Sequence, residues 1–345
     1  MNILYHITNL PPKLSNTEAS LQELDLLRRH FGGGLIHLNP NQHSPIYLPR
    51  LLFGFHQLRR IRDEEPNIQL HHLYNADPFP FPVTRWFRRP TIYSISSGVG
   101  LRRLNAAYFN ALAAVTVSDE RSLNRLRQEG VKNSFLVQPG IDTNRFSYTP
   151  LPLDSEIKLM VGSAPWVPKQ FQTKGIDALL ATAQQMPCLH LTFLWRGVLF
   201  EEMAARVRRL GLENQVEIIN QKVDVNQLLA RVHASITLVT DPIIIRSYPH
   251  TLMESLAAGK PILVSRSIPM SDYVEQHQCG QVIDQVTPEN VIRSVETIAE
   301  SYTSFQEATQ QLDLQAFSTQ RLLESFERVY KMVVESAAFH KSGMA

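Results

Sequence analysis

Residues 243–265 read IIIRSYPHTLMESLAAGKPILVS, and the order of their chemistry decides the fold. A β-branched run, Ile243 to Ile245, feeds a polar loop. Pro249 suits the first turn of a helix, and Leu252, Leu256 and Ala257 form one apolar stripe along it. Gly259 and Pro261 stop that helix, and Ile262 to Val264 begin a strand. With SITLVT (235–240) upstream, the stretch is strand, loop, helix and strand, one βα unit of a parallel sheet. Ser247 is the expected helix cap, which would leave the amides of His250 and Thr251 pointing at a ligand. The stripe turns Glu254 away from the core toward the end of the sheet, either as a ligand contact or as an acid favoured by the helix dipole. Arg246 stands in the loop ahead of it.

The same alternation runs along the chain in both directions. Upstream, strands are expected near Ile3 to Ile7, Gly34 to Leu38, Ile68 to Leu73, Thr91 to Ile95, Val115 to Ser118 and Ser134 to Val137. Helices are expected at Glu18 to His30, Leu51 to Asp63, Gly100 to Ala111 and Glu120 to Gln128. The pattern breaks at RFSYTPLPLDSE (145–156), a linker by its prolines and lack of apolar period. It restarts with IKLMVGS (157–163), a helix from Gly175 to Gln185, LHLTFLW (189–195), a helix from Glu201 to Leu210, and QVEIIN (215–220). The fold class that follows is α/β: two Rossmann-like domains, 1–150 and 151–320. The segment 321–345 carries one apolar helical face (Leu322, Leu323, Phe326, Val329, Tyr330, Val333) and is expected to pack back on the first domain.

Composition sets the outer bounds. At 345 residues the chain is long for one core, and 43% hydrophobic with 19% charged residues excludes wholesale disorder. Cys188 and Cys279 lack CxxC spacing, which argues against a disulfide scaffold and for a reducing, cytoplasmic setting. MNILYHITNL reads as a first strand, not a signal peptide, and no run reaches the length of a membrane span. Residues 1–150 hold 17 Lys+Arg against 11 Asp+Glu, and the remainder 17 against 21, so the basic half favours anionic partners. LPRLLFGFHQLRRIRD (48–63) is either a basic amphipathic segment able to lie on an anionic membrane or an ordinary helix with its arginines in solvent. No nucleic-acid motif is present, and GGGL (32–35) precedes a strand, the reverse of a dinucleotide fingerprint.

Three loops in the second half carry chemistry. In VGSAPWVPKQFQTKGIDALL (161–180) a strand ends at Gly162 and Ser163, the loop carries Lys169, and Lys174-Gly175 opens a helix. A lysine at a helix start suits a phosphate, although the Walker spacing is absent. The stretch 243–261 is the second such loop. The third, FLWRGV (193–198), places Arg196 at a strand end, where it reaches a ligand or covers the sheet.

Together these loops resemble the retaining family 4 of the GT-B glycosyltransferases. The likeness rests on VTVSDERSLNRLRQEGVKNSFLVQPGIDTNRF (115–146), KGIDALLATAQQMPCLHLTFLWRG (174–197), SYPHTLMESLAAGKPILVS (247–265) and DYVEQHQCGQVID (272–284). It implies a nucleotide-diphosphate sugar held mainly by the second domain and a carbohydrate or lipid-linked acceptor met by the first. Lys174 matches the lysine that contacts the donor diphosphate, and Glu254 the glutamate that holds the ribose. Pro249 to Leu252 supply amides to phosphate, and Lys222 with Val223 border the base.

Three departures stand out. Arg246 replaces the glutamate that reads the donor sugar, so it addresses either an acidic sugar or the diphosphate. Gly162-Ser163 replaces a Gly-Arg pair, for which Lys169 or Arg196 compensates. On the acceptor side, a segment containing Asn16 and Thr17 replaces a Gly-Gly loop, and Ser96 stands where a histidine is usual. The expected activity is retaining hexosyl transfer with Lys174 and Arg246 as catalytic groups, no cofactor beyond the nucleotide sugar, and no metal. The alternative is a weak or inactive relative that binds a nucleotide sugar or a partner. A nicotinamide oxidoreductase would need a GxGxxG after an early strand, and there is none.

Overall fold

A computed structural model describes the chain except residues 10–18, 42, 43, 45, 102, 196, 197 and 343–345. The described residues form two compact units. One holds the chain up to Gly140 together with the segment from Thr319 onward, and the other holds Ile141–Ser318. The division falls ahead of the proline-bearing stretch 145–156.

The first unit runs β1 (Ile3–Ile7), α1 (Ala19–Phe31), β2 (Leu35–His37), α2 (Leu58–Glu64), β3 (Leu70–Asn75), β4 (Thr91–Ile95), α3 (Ala106–Asn110), β5 (Ala114–Val117), α4 (Glu120–Gln128) and β6 (Ser134–Leu136). Every strand is parallel to its neighbours, in the order β2-β1-β3-β4-β5-β6. β1, β3 and β4 are buried along their whole length, as strands covered on both faces must be.

The second unit runs β7 (Ile157–Val161), α5 (Gln170–Thr173), α6 (Ile176–Gln185), β8 (Leu189–Leu194), α7 (Phe200–Arg209), β9 (Val216–Ile219), α8 (Val225–Leu229), β10 (Ala234–Thr237), α9 (His250–Ala257), β11 (Ile262–Ser265), α10 (Met270–His277), β12 (Gly280–Ile283), α11 (Pro288–Glu300) and α12 (Tyr302–Gln310). Its sheet is also parallel, in the order β12-β11-β10-β7-β8-β9. A final helix, α13 (Thr319–Ser342), belongs to the first unit. There Leu322, Phe326, Val329, Tyr330 and Val333 join Ile3, Tyr5, Leu24 and Tyr74 in one buried cluster. A hydrogen bond locks it further: His72 Nδ1 meets the Tyr330 hydroxyl at 2.6 Å, while His72 Nε2 meets Ser94 Oγ at 2.7 Å.

Two expected helices come out differently. Leu51 to Asp63 is not one helix, because Gly54 takes the left-handed φ of +86° and a Cβ there would stand 2.9 Å from Val83. The chain instead makes two short 3₁₀ turns, Arg50–Leu52 and Phe55–Gln57, before α2 begins. The helix expected over Gly100 to Ala111 is confined to α3, where the Asn105 side chain accepts from the Tyr108 amide at 3.0 Å and sets the start. No helix among the described residues is long and apolar enough to cross a membrane.

Candidate functional site

In the second unit the strand order reverses between β7 and β10, and in open parallel sheets the crevice beyond the carboxyl ends at such a point receives the ligand. The loops that leave β7 and β10 there are drawn together by close contacts. Gly162, the residue after β7, lies so near α9 that a Cβ would come within 2.2 Å of the Thr251 methyl carbon. Only glycine fits, so the first turn of α9 rests directly on the end of β7. Gly175, the N-cap of α6, takes a φ of +67°, and a Cβ there would meet Leu238, just beyond β10, at 2.6 Å. The Thr240 amide then donates to the Thr173 carbonyl at 2.9 Å, closing the ring of loops.

Into this ring Lys174 brings a buried cation. Its side chain is about 6% exposed, and Nζ donates to the Ala164 carbonyl at 2.8 Å, which ties the α6 start to the loop after β7. Ser163 is also buried, and its Oγ meets no hydrogen-bond partner among the described residues. A buried hydroxyl with unused capacity beside a lysine and a helix start suits an anionic oxygen, since desolvated donors gain most from charge-assisted bonds.

α9 contributes its N-terminus. Pro249, two residues after the expected cap Ser247, occupies the N-cap position and makes no side-chain cap hydrogen bond. Ser247 is buried two residues earlier, where its carbonyl accepts from the Met270 amide at 3.1 Å. The Leu252 amide donates to the Pro249 carbonyl at 3.1 Å, so the positive end of the dipole lies at His250 and Thr251. The run before the helix is a 3₁₀ turn, Pro242–Ile244, capped by the Asp241 side chain on the Ile243 amide at 3.0 Å. Arg246 in the following loop and Glu254 in α9 are both half-buried.

The structure therefore gathers Gly162, Ser163, Lys174, Gly175, Pro249, His250, Thr251 and Leu252 at one end of one sheet, with Arg246 and Glu254 on the adjoining loop and helix. Lys169 caps the short α5 and is exposed. Lys222 and Val223 follow the edge strand β9, the first exposed and the second packed beside Leu228 and Leu229. Arg196, Asn16 and Thr17 lie outside the described residues. Ala164, Leu238 and Thr240, which hold the ring together, carry no motif and were not singled out by the sequence.

The first unit has its own reversal, between β1 and β3. At the carboxyl ends there, Arg50 forms a two-pronged ion pair with Asp77, Nη2 to Oδ1 at 2.5 Å and Nη1 to Oδ2 at 3.0 Å. Burial alone would raise the Asp77 carboxyl; the hydrogen bonds and charge of Arg50 outweigh it and hold the group below its ordinary value. The guanidinium also lies over the Phe79 ring, 4.2 Å from its centroid. Asn75 donates to Asp77 Oδ1 at 2.7 Å and accepts from Thr8. Ser96, the expected acceptor-side residue after β4, is buried beside them, its amide donating to the Asn75 carbonyl at 2.9 Å. Arg50, Asn75 and Asp77 were missed because Arg50 lies 25 residues ahead of Asn75 and 27 ahead of Asp77; only the strand order brings it to them.

Residues 154–313 match the model of glycosyl transferases group 1. No curated protein matches the chain. Among solved structures, Alr3699/HepE from Anabaena in complex with UDP-glucose superposes with a TM-score of 0.68 at 16% identity, covering 98% of this chain and 99% of its own. A glycosyltransferase from Rickettsia africae gives 0.71 at 12% identity, covering 96% and 98%. Sucrose-phosphate synthase from Thermosynechococcus elongatus gives 0.68 at 14% identity, covering 97% and 100%. At these identities the likeness is one of fold: the paired parallel sheets are the GT-B architecture.

Proposed function

We propose that the chain, whose residues 154–313 match glycosyl transferases group 1 and whose fold is GT-B, is a glycosyltransferase that moves a hexose-type sugar with retention from a nucleotide-diphosphate donor to a carbohydrate or lipid-linked acceptor. The observation that carries this reading is the ring of Gly162, Ser163, Lys174, Gly175 and the α9 N-terminus at the β7–β10 reversal. A departing diphosphate develops charge, and fixed donors at that place stabilise it; removal of one such group lowers a rate by about 10² to 10³-fold. Lys174 and the first amides of α9 supply positive charge, so the reading calls for no metal. Glu254 is the ribose contact and Arg246 the residue nearest the donor sugar. The UDP-glucose bound by Alr3699/HepE makes a uridine nucleotide the first donor to try. The acceptor belongs to the Arg50–Asp77 end of the first unit, beside Ser96. The unpaired state of Cys188 and Cys279 is consistent with a cytoplasmic setting.

A second reading, a weak or inactive relative that still binds a nucleotide sugar, is favoured by Arg246 and Ser163 at positions where the resemblance calls for glutamate and arginine. Thermal unfolding against a panel of UDP-, GDP- and ADP-sugars separates the outcomes. One donor is expected to raise the midpoint, since ligand at about 100 times its dissociation constant adds roughly 2.7 kcal/mol. That donor should release nucleotide diphosphate when acceptor extracts are added, and Lys174→Ala should lower the rate at least 100-fold, by the order expected for a lost charge-stabilising donor. Stabilisation without release would favour the second reading, and no stabilisation by any sugar nucleotide would remove the donor site.

A further inference from the structure

We infer that the outer face of the first unit built by segments 46–62 and 85–89 docks on an anionic lipid bilayer. The fold turns a row of large apolar side chains outward there: Ile46 is 66% exposed, Tyr47 79%, Leu51 53%, Leu52 48% and Trp86 43%. Leu51, Leu52 and Trp86 share one surface. The Arg50–Leu52 turn packs on the turn that ends in Trp86, and the Trp86 ring meets Phe55 edge-on at 5.1 Å between centroids. Glu65, at the end of α2, accepts from the Arg88 amide at 2.5 Å, which brings α2 alongside segment 85–89. Nothing in the core needs these side chains, because Phe53 and Ile61 fill the inward positions of the same segment. An ordinary packed helix would have buried Leu51 and Leu52; the break at Gly54 is what leaves them outside.

Charge identifies the occupant. Between residues 46 and 89 there are 7 arginines and 4 acids, Asp63, Glu64, Glu65 and Asp77. Two of the acids are already paired: Glu65, buried on His71, lies 3.9 Å from the Arg88 guanidinium, and Asp77 is paired with Arg50. That leaves Asp63 and Glu64 against the exposed Arg59, Arg60, Arg62 and Arg85, so the face is positive. Indole and phenol rings sit at the level of lipid headgroups, leucine and isoleucine tips reach the acyl boundary, and flanking guanidiniums pair with headgroup phosphates. Exposed apolar tips flanked by uncompensated arginines match a negatively charged interface better than a neutral protein surface, which would leave those charges desolvated and unpaired. The inference does not depend on the donor site.

The test is co-sedimentation of the full chain with vesicles of phosphatidylcholine alone or of equal parts phosphatidylcholine and phosphatidylglycerol. Binding to the second and not the first, weakened by salt, is expected. Replacing Arg59, Arg60 and Arg62 by glutamine should lower the partition coefficient by about tenfold or more. Leu51→Ser with Trp86→Ser should lower it at high salt as well, because the apolar contribution is not screened. Both variants change exposed residues, and unfolding midpoints without ligand verify that they fold. Failure to sediment with anionic vesicles, or binding that neither variant weakens, overturns the inference. So does self-association lost in the variants without vesicle binding, which would make a second copy the occupant.

Discussion

Lys260 is fully buried in the second unit, and its ammonium meets no hydrogen-bond partner among the described residues. Burial pushes the amine down to about 8. Because the unfolded chain holds its proton more tightly, the folded state carries a penalty below that value, where both states are charged. The penalty is relieved as pH rises from about 8 toward the ordinary lysine value, the range in which only the unfolded chain remains protonated. Lys260→Met keeps the stem volume and removes the charge, so it should stabilise the protein by roughly 1–3 kcal/mol near neutral pH. Urea unfolding should show this gain shrinking at about pH 9.5; an equal gain at both pH values, or a loss, would mean that the ammonium is solvated. Nothing in the sequence marks this residue, since a lysine between glycine and proline reads as a helix stop. Residues with a backbone duty are more legible. Gly162 and Gly175 were readable because a strand end and a helix start call for glycine, and Lys174 because a cation belongs beside them.

Among elements, the strands were readable from their apolar runs, while helix limits depended on single residues. Gly54 ended one expected helix and Asn105 delayed another, both by local rules weaker than the amphipathic pattern around them. What no pattern showed is that β1 and β3 carry polar residues inward. His6, His71 and His72 are all buried; His6 Nε2 meets His71 Nδ1 at 3.0 Å, and His72 joins β3 to α13 through Tyr330. Burial lowers all three, His71 to about 4 and His72 to about 3. A histidine lowered in the folded state leaves the unfolded chain the better proton binder below its ordinary value, so stability falls as pH drops from there toward the folded value. For His72 that window runs from about 6.5 to about 3. The slope approaches about 1.4 kcal/mol per pH unit for each such histidine. The first unit, which buries three such histidines, should therefore unfold in acid before the second, where burial lowers His233. Tryptophan fluorescence can follow this, with Trp86 left alone in the first unit after Trp166→Phe and Trp195→Phe. Acid midpoints that coincide for both units would count against the histidine network as the cause.

At the scale of the molecule, the second unit is an insertion into the first. Its two ends pair with each other: Ile141 bridges to Ser318, and the Ile141 amide donates to the Phe317 carbonyl at 2.8 Å. The flanks in the first unit are tied as well, the Gln138 amide donating to Ser325 Oγ at 3.1 Å. Chain ends that meet allow an inserted domain to be cut out without opening either core. Residues 141–318 alone should therefore unfold cooperatively and keep the midpoint shift given by the donor that stabilises the whole chain. Residues 1–140 should need α13, because Leu322, Phe326 and Tyr330 complete their core. Without that helix the first unit loses several fully buried apolar side chains, each worth about 1.5–3 kcal/mol, more than a marginal domain can spare. A chain that joins Gly140 to Thr319 through a short glycine-serine linker should fold, and one that stops at Gly140 should not. Far-ultraviolet circular dichroism and urea titration of the three fragments provide the check. A folded 1–140 fragment would show that α13 is an accessory to the first unit, while a linked fragment that fails to fold would show that the first unit depends on the second for more than its connection.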